Sequence, residues 1–293
     1  MTAIAGPASY PTERPVTAVG DTGQRPPRRP GTVDDHRDAV ERVIHAMRER
    51  LDEPLSLRDL SEIALFSPYH FDRMFRDVTG ISPFRFLAAL RMEAAKRLLL
   101  TTQLRVTDVC YEVGYNSLGT FTANFTQLVG LPPRSLRHLR LLLGETSVST
   151  VVADSHRPAR ASSASPGGIS GTVTAPSEFT GSVFVGAFRT PIPQTRPVRC
   201  ALLEAPGPYE MPSMPDGSYH IFALGSPAFE SLSAMLMPEA ATLWVGAASQ
   251  GLTAHNGRAD APGRIELRAW KATDPPMLVA LPALLVERRA RTT

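Results

Sequence analysis

The stretch SPYHFDRMFRDVTGISP at positions 67–83 returns in outline as SLGTFTANFTQLVGLPP at positions 117–133. The two agree at Ser67 and Ser117, Phe71 and Phe121, Phe75 and Phe125, Gly80 and Gly130, and Pro83 and Pro133. Those positions set a helix start, a buried face at four-residue spacing, a left-handed stop at glycine, and a proline suited to open the next helix. The residues between them differ, and they fall on the outward side. The repeat predicts one scaffold used twice, with two different exposed surfaces.

The flanking sequence extends the helical reading over 33–143. Val40, Val43, Ile44, Met47 and Leu51 recur at steps of three and four residues, which predicts a first helix over 34–51 that ends before Pro54. A short helix follows in SLRDLSEIAL, with Ser56 as its cap. The first repeated segment then places Phe71, Met74, Phe75 and Val78 inward, leaving Tyr69, His70, Asp72, Arg73 and Arg76 on or near the outer side. The stretch PFRFLAALRMEAAKRLLLT, from about 83 to 101, predicts a long helix of roughly 27 Å, close to the ~34 Å rise of one duplex turn. Val106, Val109 and Val113 begin a second short helix, Gly114 allows a turn, Ser117 caps the next helix, and LPPRSLRHLRLLL closes the region. Two short helix-turn-helix units held about one turn apart can enter successive major grooves on one face of double-stranded DNA.

These residues resemble the AraC/XylS family of transcription regulators. The resemblance runs over about 40–141, through LSLRDLSEIALFSPYHFDRMFRDVTGISPFRFLAALRMEAAKRLL and VTDVCYEVGYNSLGTFTANFTQLVGLPPRSLR, with both halves and the connecting helix in order. It implies sequence-specific DNA binding, with Tyr69, Asp72 and Arg73 as the base-reading group of the first half and Gly119, Thr120 and Ala123 as that of the second. Arg73 is the strongest reader, because a guanidinium can bond guanine O6 and N7 together. Ala123 and Gly119 stand where longer polar side chains are common in the family, and Thr120 and Thr122 can meet a phosphate or a thymine methyl. The first half is therefore expected to dominate sequence reading and the second to add affinity. Leu65 stands at a turn position often held by glycine in the family, where a side chain makes a positive φ less comfortable.

Charge is consistent with this without requiring it. The 293 residues carry 31 Lys and Arg against 28 Asp and Glu, and all but Lys96 and Lys271 of the basic ones are arginine. Acidic residues crowd the first helix and its surroundings, whereas Arg73, Arg76, Arg134, Arg137 and Arg140 lie in or after the reading helices. Cys110 and Cys200 are the only cysteines, with no CxxC or Cys/His cluster, so neither a disulfide framework nor a structural zinc site is expected. Cys110 reads as a core packer at a helix crossing. No apolar run approaches the length of a membrane span, and a cytoplasmic location is expected.

The rest of the chain divides by composition. Residues 1–32, with RPPRRP at 25–30, read as a disordered tail in which Arg25, Arg28 and Arg29 could touch phosphates, and 144–168 reads as a linker. From 169 to 293, GSVFVGAF, PVRCALLE, GSYHIFALG, ATLWVGA and GRIELRAW have strand length and content. The expected fold class is thus an all-α double helix-turn-helix domain followed by an all-β sandwich, antiparallel and of about seven strands over 169–288. The segment MPDGSYHIFAL, 214–224, resembles the entry strand of transthyretin-like or carboxypeptidase-regulatory-like sandwiches.

The sandwich would sense an effector or oligomerise the protein. RNA polymerase, a small-molecule effector and a second copy in a homodimer are the further partners such a regulator can have, and no cofactor, metal or membrane partner is expected. Two alternatives remain open: a DNA-linked enzyme, or an architectural DNA-binding protein whose β-domain is purely structural. The sequence lacks the PCHR-like nucleophile and cysteine cluster that repair methyltransferase chemistry needs, and it has no GxSxG, HExxH, P-loop or GxGxxG motif.

Overall fold

The computed structural model describes residues 33–143, 168–190, 192–193, 196–227, 235–239, 242–259 and 263–280. The expected tail over 1–32 lies outside them, as does the expected linker except Gly168, which opens the first strand.

Seven helices fill the first region: α1 (Val33–Glu49), α2 (Leu57–Ala64), α3 (Pro68–Thr79), α4 (Pro83–Thr101), α5 (Val106–Glu112), α6 (Leu118–Val129) and α7 (Pro133–Leu143). Their ends follow local chemistry. Ser56 caps α2 by accepting the Asp59 N–H, while its own N–H is bound by the Asp59 carboxylate at 2.8 Å. Pro68 and Pro83 occupy the first turns of α3 and α4, where a missing N–H costs nothing. Gly80 and Gly130 end α3 and α6 with φ of 77° and 89°.

The repeat reaches further back than the matching prolines and glycines indicate. Asp59 and Asp108 each bind the backbone N–H three residues earlier, and the chain leaves α2 and α5 through the same bond, Phe66 N–H to Ser61 O at 3.1 Å and Tyr115 N–H to Cys110 O at 3.0 Å. Leu65 and Gly114 are the left-handed residues of these turns, with φ of 62° and 77°. These pairs are offset by one residue less than the later ones, because Asn116 is inserted before Ser117.

Leu65 thus takes the conformation its side chain disfavours. Its side chain is 69% exposed, so burial does not hold it there; the helix-ending hydrogen bonds do. Gly114 has no such latitude, since a Cβ there would lie 2.5 Å from the Leu51 carbonyl oxygen and 3.0 Å from the Arg91 guanidinium.

Ten strands follow: β1 (Gly168–Thr174), β2 (Ser182–Phe188), β3 (Arg199–Leu203), β4 (Pro208–Pro212), β5 (Gly217–Ser226), β6 (Trp244–Ala247), β7 (Leu252–His255), β8 (Arg258–Ala259), β9 (Gly263–Glu266) and β10 (Arg268–Ala269). They form a three-stranded sheet, β4-β1-β9, and a seven-stranded sheet, β10-β6-β5-β2-β3, to which β7 and β8 attach through β5. One departure from the expected antiparallel arrangement is the parallel pair β1 and β9, whose ends are far enough apart in sequence for a long crossover. In the small sheet Tyr209, Gly171 and Gly263 lie in register, and the Tyr209 hydroxyl crosses Gly171 to donate to the Gly263 carbonyl at 2.9 Å. Burial pushes that phenol up to about 12.

The larger sheet is covered on both faces. Along β2, Val183, Val185 and Ala187 point into a core shared with Ile169, Tyr209 and Ile265 of the small sheet. The alternate residues Phe184 and Phe188 join a second core with Ala95 and Leu99 of α4 and Phe121 and Phe125 of α6. β5 divides likewise, with Tyr219, Ile221 and Ala223 on one side and Leu224 on the other. The order of layers is therefore helices, large sheet, small sheet. Leu278, Val279 and Ala280 are buried in the core that the helices share with the large sheet, and the Ala280 N–H reaches the Val129 carbonyl at 3.1 Å.

Two measurements check this. Helical far-UV dichroism and the fluorescence of Trp244 and Trp270 should report one coincident unfolding transition, and Phe188→Ala should shift both by about 3–5 kcal/mol; separate midpoints would show that the layers do not share a core. At the turns, Leu65→Gly should leave denaturant stability unchanged or raise it by up to about 1 kcal/mol, and Gly114→Ala should lower it by roughly 2 kcal/mol or more.

Candidate nucleic-acid interface

The outer faces of α3 and α6 are positioned by what lies beneath them. Phe71, Met74 and Phe75 of α3 are buried with Phe86 of α4, in edge-to-face ring contacts of 5.6 Å and 5.5 Å. Phe121 and Phe125 of α6 do the same in the second unit, Phe121 meeting Tyr115 at 5.6 Å. With Phe71, Met74 and Phe75 fixed inward, Tyr69, Arg73 and Arg76 face out.

In the first unit the structure places Tyr69, Arg73 and Arg76 exposed on α3, and Asp72 half-buried beside them. Tyr69 is 83% exposed, which for a tyrosine with no described hydrogen bond is a large apolar face held in water. Arg76 is paired with Asp72 one turn earlier at 3.0 Å, whereas Arg73 and Asp77 stand 3.9 Å apart. Both are solvated pairs one helical turn apart, which an incoming phosphate or guanine can replace at little cost. Arg73 is the less committed of the two guanidinium groups. His70 is set apart from this group: its ring leans on Phe66 at 5.1 Å and meets His36 of α1 at 5.6 Å, so it sits at the seam with the first helix.

The second unit presents a different surface. Ser117 caps α6 by accepting the Thr120 N–H at 3.4 Å, and Gly119, Thr120 and Ala123 are exposed, with Thr122 half-buried. α6 carries no charged residue along its whole length. Its small side chains leave a shallow depression lined by Leu118, Gly119, Thr122, Ala123, Thr126 and Gln127. Thr126 and Gln127 were not among the residues the sequence pointed to, although they lie three and four positions beyond Ala123 and hence on its face. The Thr126 hydroxyl is engaged with the Thr122 carbonyl at 2.7 Å, and the exposed Gln127 amide is a further polar group of this surface.

Of the basic residues expected near DNA, Arg137 is used internally. Its guanidinium donates to the Leu99 and Leu104 carbonyls at 3.2 Å and 2.6 Å, tying α7 to the end of α4. Arg91 makes the corresponding tie for the first unit, donating to the Leu51 and Glu53 carbonyls at 2.8 Å and 2.7 Å under the Tyr115 ring. Burial lowers the Arg91 pKa without threatening its charge. Cys110 is fully buried, its thiol directed at the Tyr115 carbonyl at 3.5 Å and pushed up by burial. Among the described residues no three His, Cys, Asp or Glu side chains gather as metal ligands, and no helix is long and apolar enough to cross a membrane.

Comparison with known proteins bears on the helical region. Residues 60–139 match the family model described as a helix-turn-helix domain. An uncharacterized HTH-type transcriptional regulator of Bacillus subtilis, YobQ, is 36% identical over 95 residues, which cover 32% of this chain and 39% of that protein. The HTH-type transcriptional regulator GlxA of Rhizobium meliloti is 30% identical over 95 residues, covering 32% and 29%. The bifunctional transcriptional activator/DNA repair enzyme AdaA of Bacillus subtilis is 28% identical over 100 residues, covering 34% and 47%. The chain thus spans less than half the length of each of these relatives. Among solved structures, the DNA-binding domain of AdpA in complex with a target DNA is 29% identical, covers 36% of this chain and 94% of that one, and gives a TM-score of 0.34. What the comparisons show for residues 60–139 is a helix-turn-helix domain, similar in sequence to part of several HTH-type transcriptional regulators.

Proposed function

We propose that this protein is a sequence-specific regulator of transcription that reads two successive major grooves of duplex DNA, α3 entering one and α6 the other. The observation that carries this reading is the pair of exposed helix faces, each backed by a buried phenylalanine pair and held by one connecting helix, α4, of 19 residues. At 1.5 Å per residue α4 is about 28 Å long, which suits units spaced near one duplex turn.

The two faces divide the work by their chemistry. Tyr69, Asp72 and Arg73 form the reading group of the first unit, with Arg73 as the bidentate partner of a guanine and Asp72 able to accept from a cytosine amine. Arg76 serves as a phosphate contact. Gly119, Thr120, Thr122 and Ala123 of the second unit offer a low, uncharged surface that admits the backbone or a thymine methyl closely and discriminates little. A regulator of this kind works in the cytoplasm, where polymerase and DNA are, and the strand-bearing part is where an effector or a second subunit would act. The repair-enzyme alternative draws no support from Cys110, whose thiol is buried and held protonated.

The test is selection of genomic fragments on the full chain, with footprints at stated salt. A protected stretch of about 20 bp is expected. Arg73→Ala should lower discrimination at one position of the first half-site by about 1–3 kcal/mol. Arg76→Ala should weaken binding across all sequences and reduce the salt slope by about 1. Ala123→Arg should add affinity or change preference in the second half-site. Equal discrimination by the wild type and Arg73→Ala across a site library would remove Arg73 from the reading group.

A further inference from the structure

Away from the DNA-facing side, α1 and α4 meet the strand-bearing part across a cavity of about 520 Å³. Its walls are largely apolar, with Leu236, Leu243, Trp270, Pro276 and Met277 opposite α4. Into this apolar lining α4 contributes Lys96, which is 4% exposed and makes no hydrogen bond or ion pair with a described residue. Of the other charges at the cavity, Glu93 is paired with Arg48 at 3.0 Å, and Arg97 and Glu239 also line it. Glu93 favours the charged form of Lys96 from a distance, but no described carboxylate is within ion-pair reach of this buried ammonium, which leaves room in the cavity for an anion.

We propose that this cavity binds a small organic anion, a carboxylate with an apolar chain or ring, whose charged end pairs with Lys96 and whose body lies against Trp270, Leu243 and Met277. The volume falls within the range of small-molecule sites, and the wall chemistry matches their usual form, mostly apolar with few placed polar groups. Desolvation pushes the Lys96 pKa down to about 8, so near neutral pH the group still carries its proton and the attraction is intact. A ligand seated here touches both the helix that spaces the two reading units and the segment joining the large sheet to Ala280. It can therefore bias how those parts sit only by binding one arrangement better than another.

The site is tested without DNA, so its failure and that of the DNA reading are separate events. Linear carboxylates from butanoate to dodecanoate, and the matching primary alcohols, are titrated into the full chain at pH 7 while tryptophan emission is followed. At least one acid should saturate, and should do so about tenfold or more below its alcohol. Lys96→Met, checked for fold by far-UV dichroism, should keep alcohol binding and lose the preference for acid, and Lys96→Arg should retain that preference. Failure of every acid to saturate by about 1 mM, equal affinity of acid and alcohol, or an unchanged preference in Lys96→Met would each overturn the proposal.

Discussion

Two backbone carbonyls at the end of the first helix hold the helical region together. Arg91, rising from the connecting helix, forks onto the oxygens of Leu51 and Glu53, and the Tyr115 ring of the second unit covers its guanidinium. Gly114 passes directly over the same Leu51 carbonyl. One charged side chain thereby joins the first unit, the spacer and the second unit, through acceptors that sequence variation cannot remove because they belong to the main chain. The junction thereby helps set how α3 and α6 are placed relative to each other.

The second organising constraint is a sheet with no solvent face. β2 and β5 alternate strictly, one set of side chains facing the small sheet and the other facing α4 and α6. Removing either outer layer would leave a row of phenylalanines or of valines and tyrosines in water, at roughly 25 cal/mol per Å² of apolar surface. The strand-bearing part is accordingly no tethered module: one of its two cores is also the core of the second helical unit. The first helical unit, centred on Phe71, Phe75 and Phe86, packs largely on its own. The two units of the repeat therefore differ in more than their surfaces, because one is backed by the sheet and the other is nearly free of it.

Much of the helical region could be read from residues alone, because its signals are local. Three- and four-residue periodicity, proline at helix starts and glycine at helix ends pointed to the helices from α1 to α6, with the first and the long connecting one matching within about two residues. Leu65 shows the limit of that reading: propensity argues against a left-handed leucine, yet the hydrogen bond from Phe66 to Ser61 outweighs it. Arg137 shows another, since nothing in LPPRSLRHLR says that its partners are carbonyls some thirty-five residues earlier. For the strands, SVFVGAF reads as an apolar run that can be buried on both faces, but what covers each face lies far along the chain. Lys96 was invisible for the same reason. In AAKRLLL it is an ordinary helical lysine, and only the apposition of residues 236–277 buries it.

The bond from Ala280 to Val129 joins positions about 150 residues apart. On a ribosome, the second unit is complete as sequence long before the segment that closes its core has been made, by roughly ten seconds at ordinary elongation rates. Through that interval Leu99, Phe121, Phe125 and Val129 have helical neighbours but no sheet. The nascent chain is then an amphipathic bundle with one uncovered side, a species that holdase chaperones would capture and that other nascent copies could trap. The long apolar β2 strand, arriving next, is both the cover for that side and the segment most prone to pair with the wrong chain. How long that side stays uncovered is set by the length of chain between the second unit and the strands that cover it.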